Sequence, residues 1–349
     1  MKNSLPRLAF AFVIALMLLE PLGAIEATEH RVETKIVLAV DGIAVLRNLP
    51  VLLADHLGYF KDEGLNVTLM ETAANAKVDE MLADGRVAGM VAYYHHTIVA
   101  QSEGRACEAV ITMAVTPGYE LLIANQLKES VTKLSELKGK RIITGGPHSA
   151  KSTTANWLML QQGFQITDFI PIAPTTRAKI AATLKAGEAD FVIAPEPDAG
   201  FYESQGIASL FADLYSVEGT RQSLGDIFPS TVLYMSTPYA QAHPELARHL
   251  VKAFARALQF IHSQTNEEIA ALVPEIVARE GKETRVISQG VKMFATDGVM
   301  PDSAARMEAK AIAALFPEYG QVDIGKTYTN EFIAAVLKNS RSSPSSIIP

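Results

Sequence analysis

The chain has 349 residues, 48% of them hydrophobic and 20% charged, with a net charge of −7. That length supports one large core or two medium-sized ones, and with no basic block along the chain a nucleic-acid partner is excluded. The single cysteine, Cys107, excludes an intramolecular disulfide and a cysteine-only zinc site.

In chain order, Lys2 and Arg7 precede an uncharged apolar run, Leu8 to Leu19, which Glu20-Pro21-Leu22-Gly23-Ala24 breaks. The run is short for a bilayer span and has the layout of a secretory signal peptide, placed at residues 1–27. No cysteine closes the run, so lipid attachment is not expected, and the remaining chain is expected in the periplasm. Lys35 to Val40 is a continuous apolar run of the kind found in strands buried on both faces. Helical spacing follows over 48–57, a strand over 65–70, an amphipathic helix over 75–83, a strand over 87–92 and a helix over 97–104. Strands are expected at 109–115 and 121–124. The pattern then restarts with strands at 140–144, 168–172, 191–194 and 207–213, separated by helices at 149–162, 177–185 and 198–204. One more strand, 231–236, leads into a nearly all-helical stretch after Pro244, with Leu246, Leu250, Phe254, Leu258 and Ile261 on one face. The Ser/Pro-rich residues 341–349 read as a disordered tail. Alternating strands and helices that start twice imply two α/β lobes, each with a mostly parallel sheet.

Six short stretches, in order, carry a resemblance. They are Ala54 to Leu65 (with Gly-Tyr-Phe and Glu-Gly-Leu), Met81 to Val87, Leu134 to Ile143, Leu184 to Asp190 with Pro195-Glu196-Pro197, His243 to Leu246, and Tyr328 to Phe332. Together the chain resembles the substrate-binding proteins of ABC importers for sulfonates, taurine and nitrate, a family that also contains binding proteins for thiamine-precursor pyrimidines. Ala88 stands where that family usually has Asp. The resemblance implies the two-lobed periplasmic-binding-protein fold of type II. One lobe would comprise residues 33–117 and 232–340, the other 118–231, with crossings near Pro117-Gly118 and Pro229-Ser230. It further implies a monomer that closes on a small organic ligand and docks on a membrane permease served by a separate ATPase subunit.

Ligands of open parallel sheets bind beyond the carboxyl ends of the strands, which nominates four loops. In the first, Arg47 suits an anionic group and Asn48 either bonds ligand or caps a helix. The second offers Tyr94, His95, His96 and Thr97, aromatic and imidazole groups suited to a flat organic ligand; adjacent histidines diverge, so one of the pair is expected to face the cleft. The third, with Gly146, His148, Ser149, Lys151 and Ser152, opens a helix whose free N–H groups suit a sulfonate, carboxylate or phosphate; Ser149 as a plain helix cap is the alternative. The fourth contributes Glu196, either a ligand contact or the partner of an arginine across the cleft. Ser230, at the second crossing, is also placed at the ligand.

These nominations favour a small organic anion, sulfonate, taurine-like or aromatic carboxylate, with a thiamine-precursor pyrimidine as the alternative. The third loop nearly matches a phosphate-binding loop, but Ala150 replaces the second glycine, so no ATPase is expected in this chain. His56, His95, His96 and His148 are scattered, so no metal site or cofactor is expected. An enzyme on this fold is a rival reading, but the related pyrimidine-synthesising enzyme carries a cysteine-rich motif, and this chain has one cysteine and no nucleophile elbow.

Overall fold

The computed structural model describes residues 34–72, 78–146, 149–174, 176–277, 283–319 and 322–342. The expected signal peptide at 1–27, His148 and residues 343–349 lie outside them. Among the described residues, ten strands run in chain order: β1 (Thr34–Val40), β2 (Leu65–Glu71), β3 (Gly89–Tyr93), β4 (Cys107–Thr112), β5 (Tyr119–Ala124), β6 (Arg141–Ile143), β7 (Ile170–Ile172), β8 (Phe191–Ala194), β9 (Ala208–Leu214) and β10 (Thr231–Ser236). They form two five-stranded sheets, ordered β2-β1-β3-β10-β4 and β7-β6-β8-β5-β9. Each sheet is mixed because one strand in it is reversed. β10 runs antiparallel between β3 and β4, and β5 antiparallel between β8 and β9, whereas β1 pairs in parallel with β2 and β3.

The period-2 rule explains how these sheets are buried. Leu38 and Val40 face one core, with the helix Pro244–Ser263, while Ala39 faces the other, with Val78 and Leu82. In the second sheet Leu121 and Ile123 pack beside Trp157, and Leu122 and Ala124 beside Tyr202. Two covered faces require apolar side chains on both, which is why these runs do not alternate with polar residues. The helix Pro244–Ser263 buries Leu250, Phe254, Leu258 and Ile261, each worth about 1.5–3 kcal/mol when fully removed from water. Phe254 meets Phe60 edge-to-face at 5.4 Å between ring centroids.

Local differences from the sequence expectations have local causes. The third strand begins at Gly89, where an added Cβ would come within 2.9 Å of Leu233 and 3.1 Å of the Tyr234 carbonyl. The following helix starts at His95, two residues before the expected Thr97, whose hydroxyl instead donates to the Tyr94 carbonyl at 2.9 Å. A helix at Val217–Leu224 lay outside the expected set. Its Ser216 side chain accepts from the Gly219 N–H, and Gly225 closes it at φ 96°. The last helix, Glu331–Ser342, carries regular backbone two residues into the stretch read as a tail.

The chain passes from the first sheet to the second between β4 and β5, and back between β9 and β10, and the two passages are stitched together. The Phe228 and Ser230 N–H groups donate to the Val115 and Ala114 carbonyls, both at 3.0 Å. The Ser230 hydroxyl donates to the Thr116 carbonyl at 2.7 Å. Gly118 has φ 71°, a left-handed conformation that favours glycine.

Candidate functional site

The candidate site is a narrow hollow between the two sheets, partly open to solvent. Its free interior accommodates about one water-sized body. The first sheet contributes Tyr93, at the end of β3, and His95, at the start of the next helix. The crossings contribute Pro117, Phe228, Pro229 and Ser230. The second lobe contributes Tyr119 at the start of β5, and Ala150, Thr153 and Thr154 from the helix Ala150–Gln161. Glu308, on the helix Asp302–Leu315, completes the lining.

Four aromatic side chains, Tyr93, His95, Tyr119 and Phe228, stand on the wall. The Tyr93 and Tyr119 hydroxyls are hydrogen-bonded at 2.8 Å, joining the two sides of the hollow. The His95 ring lies 5.7 Å from the Tyr93 ring, at 28° between planes. Burial, and then the neighbouring His96, hold the His95 imidazole well below its usual value, so it is neutral near pH 7. Burial holds the Tyr119 phenol well above its usual value, reinforced by Tyr93. None of the lining residues is Lys or Arg, so an anion entering this hollow meets no side-chain cation on its wall.

Glu308 is the one carboxyl on the wall. It is 1% exposed, and its Oε2 is buried with no hydrogen-bond partner among the described residues. Burial raises this carboxyl well above the usual range, against the opposing backbone N–H of His95. The neutral acid is thereby favoured.

The nominated residues separate into two groups. His95 and Ser230 line the hollow, although the Ser230 hydroxyl is engaged with Thr116. The other described ones lie off its wall. His96 turns toward Tyr234, at 6.4 Å between ring centroids. Tyr94 is buried in the first lobe's core, its hydroxyl 2.5 Å from the Thr327 hydroxyl, and Thr97 is buried on Tyr94. Arg47 stacks behind the wall, its guanidinium carbon 4.8 Å from the Tyr93 ring centroid, and donates to the Asp41 carboxylate at 2.7 Å. Asn48 donates to the Asp41 and Gly42 carbonyls, fixing the loop after β1 without capping the helix.

The third loop opens the helix Ala150–Gln161 through an ordinary cap: the Ser149 hydroxyl accepts from the Ser152 N–H at 3.2 Å. Gly146 borders open space, where an added Cβ would meet no atom within 4 Å. Lys151 and Ser152 are absent from the hollow's lining, which takes Ala150, Thr153 and Thr154 from this helix instead.

Glu196 stands in a second acidic cluster. Its Oε1 accepts from Arg285 at 2.8 Å and its Oε2 from the Gly200 N–H at 3.0 Å. Arg285 also donates to Glu203 at 2.5 Å and lies 3.6 Å from Glu120. The arginine comes from the helix Glu283–Gly290, whose Val286 and Ile287 belong to the first lobe's core, so the cluster ties one lobe to the other. Burial pushes the Glu120 carboxyl up to about 7, helped by Glu196 and Glu203 and opposed by Arg285.

Among the described residues, no three His, Cys, Asp or Glu side chains converge to hold a metal ion. Among them, no helix is long and apolar enough to cross a membrane.

Comparison with known proteins agrees with the architecture. YtlA of Bacillus subtilis, described as a binding protein, is 23% identical over 273 residues, 77% of this chain and 78% of that one. A shorter match, 29% identical over 97 residues, joins 27% of this chain to 28% of the 4-amino-5-hydroxymethyl-2-methylpyrimidine phosphate synthase THI11 of Saccharomyces cerevisiae. The periplasmic aliphatic sulphonate binding protein SsuA of Escherichia coli shares the fold, with a TM-score of 0.65 at 18% identity over 84% of this chain and 91% of that one. The profile of the family described as NMT1/THI5 like matches residues 47–268, well over half of the chain, and the chain therefore belongs to the NMT1/THI5-like family.

Proposed function

We propose that this chain is the extracytoplasmic solute-binding subunit of an ABC importer. It captures a small, flat organic molecule in the hollow between its lobes and releases it unaltered to a membrane permease, whose ATPase is a separate subunit. The lobes are taken as residues 33–117 with 232–340 and residues 118–231. The observation that carries the reading is the position of the hollow: both lobes and both crossings contribute to its wall. A hinge of two stitched passages allows the lobes to part and close again, which a narrow site requires for entry and release. The likenesses to YtlA and SsuA support binding over conversion.

An aromatic wall with a neutral imidazole suits a flat ring better than nitrate. The anion expected from the third loop has less support, because Ser149 caps its own helix and no lining residue is cationic. The rival is an enzyme on this fold, favoured by the local match to the yeast synthase. The purified chain is to be incubated with a small-molecule extract, re-isolated, and its unfolding temperature and bound compounds measured. Binding without conversion raises the unfolding temperature and returns the same compound by mass spectrometry. A compound returned with altered mass establishes the enzyme instead.

A further inference from the structure

Glu308 is exceptional on the wall of the hollow. The helix Asp302–Leu315 buries Ala304, Ala305, Glu308, Ala311 and Ile312, a stripe with one carboxyl among apolar residues. That helix touches both lobes: Ala304 packs into the first lobe's core and Ala311 into the second's. A buried carboxyl with an unengaged oxygen costs stability, because its desolvation is not offset by a hydrogen bond. Such a group inside a binding hollow is completed by a partner that arrives with the solute. The His95 backbone and the Tyr94 phenol lie beside it, and the lining of the hollow holds no fixed cation. Arg47, over the Tyr93 ring and off the lining, gives its Nη2 to Asp41, and its Nε is buried with no hydrogen-bond partner among the described residues.

We propose that Glu308 is the polar anchor of the hollow and selects uncharged flat solutes that present a hydrogen-bonding edge, such as a primary amide, over carboxylates and sulfonates of the same size. An amide edge offers an N–H and a carbonyl side by side. A carboxylic acid offers the complementary carbonyl and O–H, so the two form a paired bond in which no charge is buried. A carboxylate or sulfonate in the same place loses its hydration with no cation to replace it. The inference rests on the solute-binding reading and adds the class of solute.

The test uses three probes on one ring: benzamide, benzoate and benzenesulfonate. Their dissociation constants are to be measured by calorimetry on the full mature chain, and on Glu308→Leu and Glu308→Gln. Wild type is expected to prefer benzamide by about tenfold or more. Glu308→Leu should bring the three probes within about twofold of one another, because the distinguishing edge is gone. Glu308→Gln, which presents an amide edge of the same shape, should keep the preference; its unfolding temperature checks that the fold is intact. A wild type that binds benzoate or benzenesulfonate as tightly as benzamide overturns the inference, as does a Leu variant with the preference unchanged. If wild type binds none of the three yet carries a compound from an extract, the Glu308 assignment falls and the solute-binding reading stands. If it carries nothing, both fall.

Discussion

Glu308 and Glu196 are both almost fully buried, at 1% and 4% exposure, yet their surroundings differ completely. Glu196 has Arg285 on one oxygen and the Gly200 N–H on the other, and its own N–H donates to the Tyr215 hydroxyl. Glu308 receives the His95 backbone N–H and nothing on Oε2, and burial pushes it toward the neutral acid. One carboxylate is completed by the protein and holds the lobes together. The other is left incomplete on the wall of the hollow. Burial alone does not separate these two acids; what differs is the arginine beside one and the hollow beside the other.

The comparison breaks most severely at Arg285. Replacement by Ala leaves Glu196 buried without its counter-charge and should destabilise the protein by about 3 kcal/mol in urea unfolding at pH 7, the low side of buried-pair losses because the guanidinium is 35% exposed. A loss under about 1 kcal/mol would reduce the cluster to an ordinary surface network.

Next comes the pH dependence of Glu120, whose carboxyl lies at about 7 in the fold against 4.5 ordinarily. The folded protein then holds this proton more tightly than the unfolded chain does. Its stabilising contribution is whole below pH 4.5 and fades as pH rises through about 7. Glu120→Gln should therefore be more stable than wild type at pH 8 by about 1–2 kcal/mol, and the gap should close near pH 4. A gap independent of pH would contradict this titration. Glu308→Gln follows the same sign, since burial raises that carboxyl too, and Arg285→Ala should steepen the dependence due to Glu120, whose carboxyl that guanidinium lowers, and leave that of Glu308 unchanged.

The smallest effect is expected at the stitch between the regions. Ser230→Ala removes one buried hydrogen bond, to the Thr116 carbonyl, and should cost about 1 kcal/mol in thermal unfolding.

The fold was largely legible because its signals are local. Apolar runs such as Lys35 to Val40 and the helical stripe through Leu250, Phe254 and Leu258 state their own burial. The helix Val217–Leu224 had a readable signature, Ser216 followed by Gly219 and closed by Gly225, yet its few apolar residues masked it. The reversed β10 and β5 were beyond reach, because strand direction depends on which sheet the returning chain joins.

The site was less legible. The loop rule led to His95 and Ser230, and to the helix that supplies Thr153 and Thr154, but it selected residues at the helix start that serve as its cap. Arg47 and Glu196 are attractive in sequence because they are charged, and that charge is what draws Asp41 and Arg285 to them. Glu308 lies far along the sequence from every strand end. Its trace in the sequence is a lone acid on an apolar helical stripe, a pattern that gains meaning only when another lobe covers that stripe.

The most direct measurement is occupancy of the hollow itself. Thr154 lies on its wall, and Thr154→Trp fills the space while leaving the helix Ala150–Gln161 to its existing cap. Native mass spectrometry of wild type and of this variant, both passed through the same extract, should show one small molecule on the former and none on the latter. A blocked variant that still carries the compound would move the binding site elsewhere and contradict the account.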